Sequence, residues 1–176
     1  MSEGNPPVST RRGDDGTTTL LGGGRMSKRD PRIEALGDVD EASSALGLAR
    51  AASEDTPDIG SLLLDMQRLL YRVMGDLAMP KEADSVGEAD VKLVDDALEE
   101  WRDRTEIPNE FVIPGGSRLG ALLDVSRSVV RRAERALVAA GFAEEHPHAL
   151  MAVNRLSDLL FIVARNADGG AELSRG

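Results

Sequence analysis

The sequence has no cysteine and few aromatic residues, and each absence excludes a class of protein. Without cysteine, the chain has neither a disulfide framework nor a thiolate zinc site. Aromatic residues make up only 3% of the 176 residues, so alanine, leucine and valine must fill the core. These residues favour closely packed helices over a β-sandwich. The length is sufficient for one domain with its own core.

Long hydrophobic runs and an excess of positive charge are also lacking. No apolar run approaches the roughly 18 residues of a membrane span, and the first nine residues contain no apolar signal-peptide region. The net charge is −10, whereas general nucleic-acid binding requires a basic surface. We therefore expect a cytoplasmic protein that binds neither membranes nor nucleic acid.

Helical periodicity is the dominant pattern that the sequence does have. Apolar residues recur three and four positions apart near residues 32–53, 58–79, 88–106, 118–141 and 145–167. Asp30 and Ser117 are typical N-caps, and Gly141 is a typical C-terminal cap. No strand pattern of any length is visible. The sequence predicts an all-α, up-and-down bundle of five helices over residues 31–168.

A polar, glycine-rich segment precedes the first helix. Residues 10–19 combine glycines, hydroxyls and two arginines, whose donors can bind phosphate oxygens. This segment either binds a polyanion or a metal, or it is disordered. We interpret residues 1–9 as a disordered tail, residues 10–30 as a flexible loop, and residues 169–176 as a frayed C-terminus.

The fourth helical segment carries a cluster of charges. Arg127, Arg131 and Glu134 lie within roughly 60° of one another on a helix, about a quarter turn from the apolar stripe. Arg132 and Arg135 add to this cluster. The charges border the core, where they could meet a neighbouring helix or subunit. The alternative is a solvated face held by local ion pairs.

A carboxylate stands out on the first helical segment. Asp40 lies in the middle of a face of small and apolar residues that includes Leu36, Ser44 and Gly47. If that face is buried, the carboxylate needs a charged partner, and Arg127 is a plausible one. The alternative is that this face is not part of the core.

Two further residues have both a structural and a functional interpretation. Phe111 begins a short apolar segment before a Pro-Gly-Gly turn, and it is either a staple under the bundle or an aromatic wall of a pocket. Asn154 is unusual in a helix interior, and it either contacts a ligand or caps a helix crossing.

Together these pieces resemble one family, the PduO-type ATP:cob(I)alamin adenosyltransferases. Five segments carry the resemblance: TRRGDDGT at 10–17, DVDEASSALG at 38–47, FVIPGG at 111–116, RSVVRRAER at 127–135 and NRLSD at 154–158. Their order and spacing match over about residues 10–166. The resemblance implies a ferritin-like, five-helix bundle that forms a homotrimer with active sites between subunits.

The resemblance also implies the activity and its ligands. Members of the family transfer the adenosyl group of ATP to the cobalt of reduced cobalamin, and Mg²⁺ accompanies the ATP triphosphate. Further implied partners are a flavin-type reductase that supplies Co(I) and an adenosylcobalamin-dependent mutase or dehydratase that receives the product. A non-catalytic module that holds ATP or adenosylcobalamin, and a purely structural bundle, are the alternatives.

The resemblance finally assigns a role to each candidate residue. It places Arg131 on the phosphates and Glu134 near the nucleotide and Mg²⁺. Asp40 and Arg127 match an intersubunit salt bridge, and Phe111 matches the aromatic residue that closes the lower face of the corrin. Contacts to ATP are assigned to Thr10, Arg11, Arg12, Gly13, Thr18, Thr19, Lys28, Arg131, Arg132, Glu134, Arg135 and Asn154.

Overall fold

The computed structural model of the chain describes residues 11–79, 85–170 and 173–174. Within these ranges the chain is mostly helical, as the sequence predicts, with six helices and two short strands. In chain order, the elements are β1 Thr17–Thr19, β2 Arg25–Ser27, α1 Pro31–Ala51, α2 Pro57–Ala78, α3 Glu88–Asp103, α4 Arg118–Ala139, α5 Phe142–Glu145 and α6 Pro147–Asp168.

The helix ends follow from local chemistry. The Asp30 carboxylate accepts a hydrogen bond from the Arg32 amide at 2.9 Å, and the Ser117 hydroxyl accepts one from the Gly120 amide at 2.9 Å. Both predicted N-caps are therefore confirmed. Gly141, two residues after the end of α4, has φ of 88°, a left-handed conformation that glycine adopts without strain.

The core lies between α4 and its neighbours. Helix α4 packs against α1 on one side and α6 on the other, while α2 packs on α1 and α3 packs on α6. The apolar stripes predicted for the second, fourth and fifth helical segments point inward. Fully buried members include Leu63, Met66, Leu70, Val73, Leu123, Val130, Leu137, Val153, Leu156 and Val163.

The secondary structure differs from the prediction in two places. The glycine-rich loop contains a small antiparallel hairpin, in which β1 pairs with β2 through Thr17↔Ser27, Thr18↔Met26 and Thr19↔Arg25. The hairpin turn uses Gly23 and Gly24, both with positive φ. The last predicted helix begins two residues before α6, and the single-turn α5, which ends at Glu145 before His146, was not predicted.

The hairpin is attached to the helices. The Gly22 amide donates to the Ala78 carbonyl at 3.1 Å, and Leu20 is buried. This bond places the hairpin against the end of α2. The predicted tail of residues 1–9, together with Thr10, lies outside the described residues. Among the helices that the structure describes, none is both long and apolar enough to cross a bilayer.

Candidate functional site

The hairpin loop is ordered by its own polar contacts. Asp15 accepts hydrogen bonds from the Thr17 hydroxyl at 2.7 Å and the Thr17 amide at 3.0 Å, and its carboxylate lies 2.8 Å from Arg25. These contacts, led by the Thr17 hydroxyl, hold the pKa of Asp15 below its usual 3.8. Arg25 also donates to the Arg12 carbonyl at 2.9 Å. The loop therefore has a defined shape around Arg12.

Two of the predicted nucleotide-binding residues meet inside this loop. The Lys28 ammonium donates to the Gly13 carbonyl at 2.8 Å, and the Lys28 amide donates to Gly16 at 2.9 Å. A Cβ on Gly13 would lie 3.1 Å from the Lys28 nitrogen, so glycine permits this close approach. Arg11, Arg12 and Thr19 are exposed, and Thr18 is half-buried.

The second half of α4 presents a polar cluster to solvent. We call Arg131, Glu134, Arg135 and Asn154 the exposed polar cluster. The Asn154 amide donates to the Glu134 carboxylate at 2.7 Å, which joins α6 to α4, and Arg135 donates to the Arg131 carbonyl at 3.0 Å. Within the described ranges, the Arg131 side chain forms no ion pair. The cluster therefore has cationic capacity available for an anion.

Arg132 faces a different neighbour. Its guanidinium pairs with Asp38 at 3.4 Å and with Glu41, both on α1. The Glu41 contact is the main cause of a raised Arg132 pKa. Arg132 therefore ties α4 to α1 in this chain.

The hairpin and the exposed polar cluster lie at one end of the molecule. The hairpin contacts Ala78 at the end of α2, and α1 begins directly after it. Arg32, in the first turn of α1, pairs with Glu145 at 2.6 Å, shortly after α4 ends. Arg132 joins the second half of α4 to Asp38 in the first half of α1. The structure thus brings both predicted halves of the nucleotide site to the same end.

Asp40 and Arg127 are not brought together within one chain. Asp40 is exposed, and it forms no ion pair with any described residue. The face of α1 that contains it is not the core face of the isolated chain. The residues of α1 that enter the core are instead Ala35, Val39, Ala42, Ala45, Leu46 and Ala49. The sequence left open whether the face that contains Asp40 is part of the core. In the single chain it is not.

Arg127 belongs to a charged group that sequence reasoning missed. We call Asp124, Arg127, Arg165 and Asp168 the buried charge cluster. Asp124 lies 3.6 Å from the Arg127 Nε and pairs with Arg165 through its other oxygen. Arg165 also lies 3.1 Å from Asp168. The side chains of Asp124, Arg165 and Asp168 are 5%, 2% and 1% exposed, and that of Arg127 is 30% exposed.

A glycine is the sequence signal that could have revealed this cluster. The Asp168 carboxylate accepts from the Ser117 hydroxyl at 3.0 Å, directly over the first turn of α4. A Cβ on Gly120 would lie 1.9 Å from the Asp168 oxygen, so any other residue would displace this carboxylate. A glycine inside a helix costs stability, and its presence after a Ser N-cap indicates a close approach by another group.

Phe111 lines a cavity instead of packing under the helices. Its side chain is 87% exposed. The segment that contains it, together with Asp124, Arg127, Phe161 and Arg165, encloses about 470 Å³, which we call the Phe111 cavity. The Phe111 carbonyl accepts from the Ser174 amide at 2.8 Å, so the C-terminal segment fixes the backbone at this position. An exposed aromatic ring beside a cavity is typical of a ligand contact.

The described residues contain no group of three or more acidic or histidine side chains that could hold a metal by themselves. Magnesium bound with a nucleotide needs less, because one or two carboxylates and the phosphates complete its shell. Glu134 uses one carboxylate oxygen for Asn154. Its other oxygen fits such a role.

Comparison with known proteins identifies the family. The family model described as "Cobalamin adenosyltransferase" matches residues 8–167. A corrinoid adenosyltransferase of Mycobacterium leprae (strain TN) is 41% identical, over 94% of this chain and 93% of its own length. A cobalamin adenosyltransferase of Cupriavidus metallidurans is also 41% identical, over 94% of this chain and 92% of its own length.

Solved structures agree. A variant of the PduO-type ATP:corrinoid adenosyltransferase from Lactobacillus reuteri, complexed with cobalamin and ATP, has a TM-score of 0.86 at 30% identity, with 97% of each chain covered. A second variant of that protein, complexed with ATP, has the same TM-score at 31% identity, with 96% of this chain and 100% of the other covered. The family model, the relatives and the structures converge, and the chain belongs to the cobalamin adenosyltransferase family.

Proposed function

We propose that this protein transfers the 5′-deoxyadenosyl group of ATP to the Co(I) of reduced cobalamin. Co(I) attacks the 5′ carbon of ATP, a Co–C bond forms, and the bond from that carbon to the triphosphate breaks. The products are adenosylcobalamin and triphosphate. Because Co(I) is itself a strong nucleophile, the protein needs no base to activate it, and catalysis consists of alignment and charge stabilisation.

The hydrogen bond between Asn154 and Glu134, beside Arg131, is the observation that carries this proposal. It joins the two helices that bear the family's nucleotide-binding segments, at 2.7 Å. It also leaves the cationic side chain of Arg131 exposed at that junction. An exposed cation next to a fixed amide and carboxylate suits a triphosphate, whose negative charge increases as it leaves.

The hairpin loop supplies the other half of the proposed nucleotide site. Residues 11–30 offer the exposed Arg11 and Arg12, and the Thr18 and Thr19 hydroxyls, at the same end of the molecule. Lys28 holds the backbone at Gly13, which leaves the neighbouring amides at a fixed spacing. Mg²⁺, held by Glu134 and the phosphates, would neutralise part of the triphosphate charge.

Cobalamin is proposed to bind at the Phe111 cavity. The exposed Phe111 ring offers an apolar surface for the lower face of the corrin. Such a wall excludes water and the lower axial ligand, and four-coordinate Co(II) is easier to reduce than the five-coordinate form. A flavin-type reductase would supply the electron, and an adenosylcobalamin-dependent mutase or dehydratase would receive the product.

The nucleotide end and the Phe111 cavity are proposed to meet across a subunit boundary in a homotrimer. In this arrangement Asp40 of one subunit pairs with Arg127 of the next. The exposed carboxylate of Asp40, one helical turn from the exposed Ser44, supports this pairing. Burial of such a face against another subunit would make a charged partner necessary.

The direct test is turnover with purified protein, Mg-ATP and chemically reduced cobalamin under anaerobic conditions. We expect the Co(I) spectrum to convert to that of adenosylcobalamin, with one triphosphate released per cobalamin. The matched control omits ATP. Binding of cobalamin and ATP without conversion would contradict the proposal and favour a carrier module, and the absence of binding would favour a structural bundle.

A further inference from the structure

The buried charge cluster is electrically neutral only when Arg127 is included. Arg165 lies between two carboxylates, Asp124 and Asp168, so these three residues together carry one net negative charge. All three side chains are almost fully buried, and an uncompensated charge at such depth is costly. Arg127 approaches from the side of Asp124 and restores neutrality. The triad therefore attracts Arg127 electrostatically.

Arg127 is held by charge more than by hydrogen bonds. Its Nε is buried and lies 3.6 Å from the nearest Asp124 oxygen, beyond hydrogen-bond distance, and that Nε has no hydrogen-bond partner among the described residues. Arg165 holds the other Asp124 oxygen and is itself stacked toward the Phe161 ring, 5.2 Å from the ring centroid. Asp124 is consequently fixed, and within the described chain its carboxylate is the charge that holds Arg127 from below, whatever Arg127 contacts on its exposed side.

The position of Arg127 matters because it lines the Phe111 cavity. Asp124 and Arg165 line the same cavity, and Arg127 is the most exposed of the three. Asp168 belongs to the same charge group but does not line that cavity. Its carboxylate contacts Arg165 and Ser117.

We propose that Asp124, held by Arg165, is a positioning residue that fixes Arg127 beside the Phe111 cavity and so supports cobalamin binding. The proposal rests on the proposed function, because it takes cobalamin as the occupant of that cavity. Asp124 itself acts through Arg127, and Arg165 acts through Asp124. A change at Asp124 should therefore affect cobalamin, while the nucleotide end stays unaffected.

The test compares Asp124→Asn with Asp168→Asn. Each substitution removes one negative charge at nearly constant volume, and each leaves Arg165 one carboxylate partner. Both variants should therefore melt several degrees below the parent protein. Of the two variants, only Asp124→Asn removes the intrachain charge next to Arg127, and the proposed pairing of Arg127 with Asp40 of the next subunit is left in place by both. We expect it to raise the KM for cobalamin about ten- to hundredfold and to leave the KM for ATP unchanged.

Asp168→Asn should leave both KM values unchanged, which separates positioning from loss of stability. Equal increases in the KM for cobalamin in both variants, or no increase in either, would overturn the proposal. If Asp124→Asn fails to fold, Arg165→Lys provides the second variant, because it keeps the charge and loses the planar fork that holds Asp124. The same split between the two KM values is expected for it.

Calorimetric binding of cob(II)alamin to the same proteins distinguishes this proposal from the proposed function. A parent protein that binds cobalamin without turnover would refute the proposed function. The difference in cobalamin affinity between Asp124→Asn and Asp168→Asn would still test the role of Asp124, because that measurement does not depend on turnover. A parent protein that shows neither binding nor turnover would overturn both proposals.

Discussion

Helix α4 carries two sets of charged residues, one buried and paired within the chain, the other exposed to solvent. In the first half, Asp124 and Arg127 belong to the buried charge cluster, where two cations and two carboxylates balance. In the second half, Arg131 and Arg135 belong to the exposed polar cluster, which faces solvent. Arg127 and Arg131 are one helical turn apart. The same residue type is thus neutralised in one cluster and exposed in the next.

The difference is compatible with the proposal that one helix serves two chemically distinct ligands. The buried charge cluster has already lost its water on folding, so its geometry is fixed beside a cavity suited to a large, partly apolar ligand. The exposed polar cluster remains hydrated, and under the proposed function it would lose water only when an anion binds. A polyanion binds best where cationic charge has not already been neutralised by the protein.

The largest expected effect comes from removing Arg131, whose side chain is exposed and forms no ion pair with a described residue. Arg131→Ala should lower kcat about a hundred- to thousandfold, because stabilisation of the leaving triphosphate is lost. The free energy of unfolding should change by no more than about 0.5 kcal/mol, since the side chain is exposed. Steady-state turnover with reduced cobalamin and a urea melt measure the two quantities.

The matched control for that variant is Arg118→Ala. Arg118 is also an exposed arginine of α4, at the opposite end of the helix. It should retain parental turnover. Equal losses of turnover at both positions would show that general positive charge matters instead of the exposed polar cluster. The functional distinction between the two halves of α4 would then be wrong.

The sequence contained enough information for the helices and for most of the exposed polar cluster. Periodicity located the stripe that includes Leu63, Met66 and Val73, because burial of an apolar face leaves a regular pattern in a single segment. The residues of α4 and α6 that we propose as nucleotide ligands were predicted from short segments that resemble the family. The contact between Glu134 and Asn154 then follows from the pairing of those two helices.

The sequence did not reveal the hairpin or the buried charge cluster. Strands of three residues are too short to show alternation, although the threonines of β1 and the Gly22–Gly24 turn were available signals. Asp124 and Arg165 are 41 residues apart, and no local pattern links them. Their pairing depends on how α4 and α6 pack, which a single sequence does not specify.

A smaller effect, on stability, is expected from a substitution next to the buried charge cluster. Gly120→Ala forces a Cβ against the Asp168 oxygen, so that carboxylate must leave its place over the first turn of α4. We expect a loss of about 1–3 kcal/mol in the free energy of unfolding, measured by urea denaturation. The control, Gly37→Ala, places a Cβ in open space within α1 and should raise stability by about 0.5–1 kcal/mol. Equal effects would show that Asp168 has no fixed place.

The smallest effect concerns the hairpin at the end of the molecule that holds the exposed polar cluster. Asp15→Asn removes the charge that accepts from Thr17 and pairs with Arg25, and it should make proteolysis of the loop a few-fold faster at neutral pH. Asp14→Asn is the control, because Asp14 is an adjacent exposed carboxylate that forms no ion pair with a described residue.

The pH dependence of the same hairpin has a definite sign. Because the Thr17 hydrogen bonds lower the pKa of Asp15, the contribution of its carboxylate is fully present above the usual value of 3.8. The contribution disappears as the pH falls through the lower folded-state value. An NMR titration of the Thr17 amide should therefore have its midpoint below 3.8. A midpoint at or above that value would mean that the Thr17 hydrogen bonds and the Arg25 ion pair do not hold the Asp15 carboxylate in solution, and that the hairpin is not preformed.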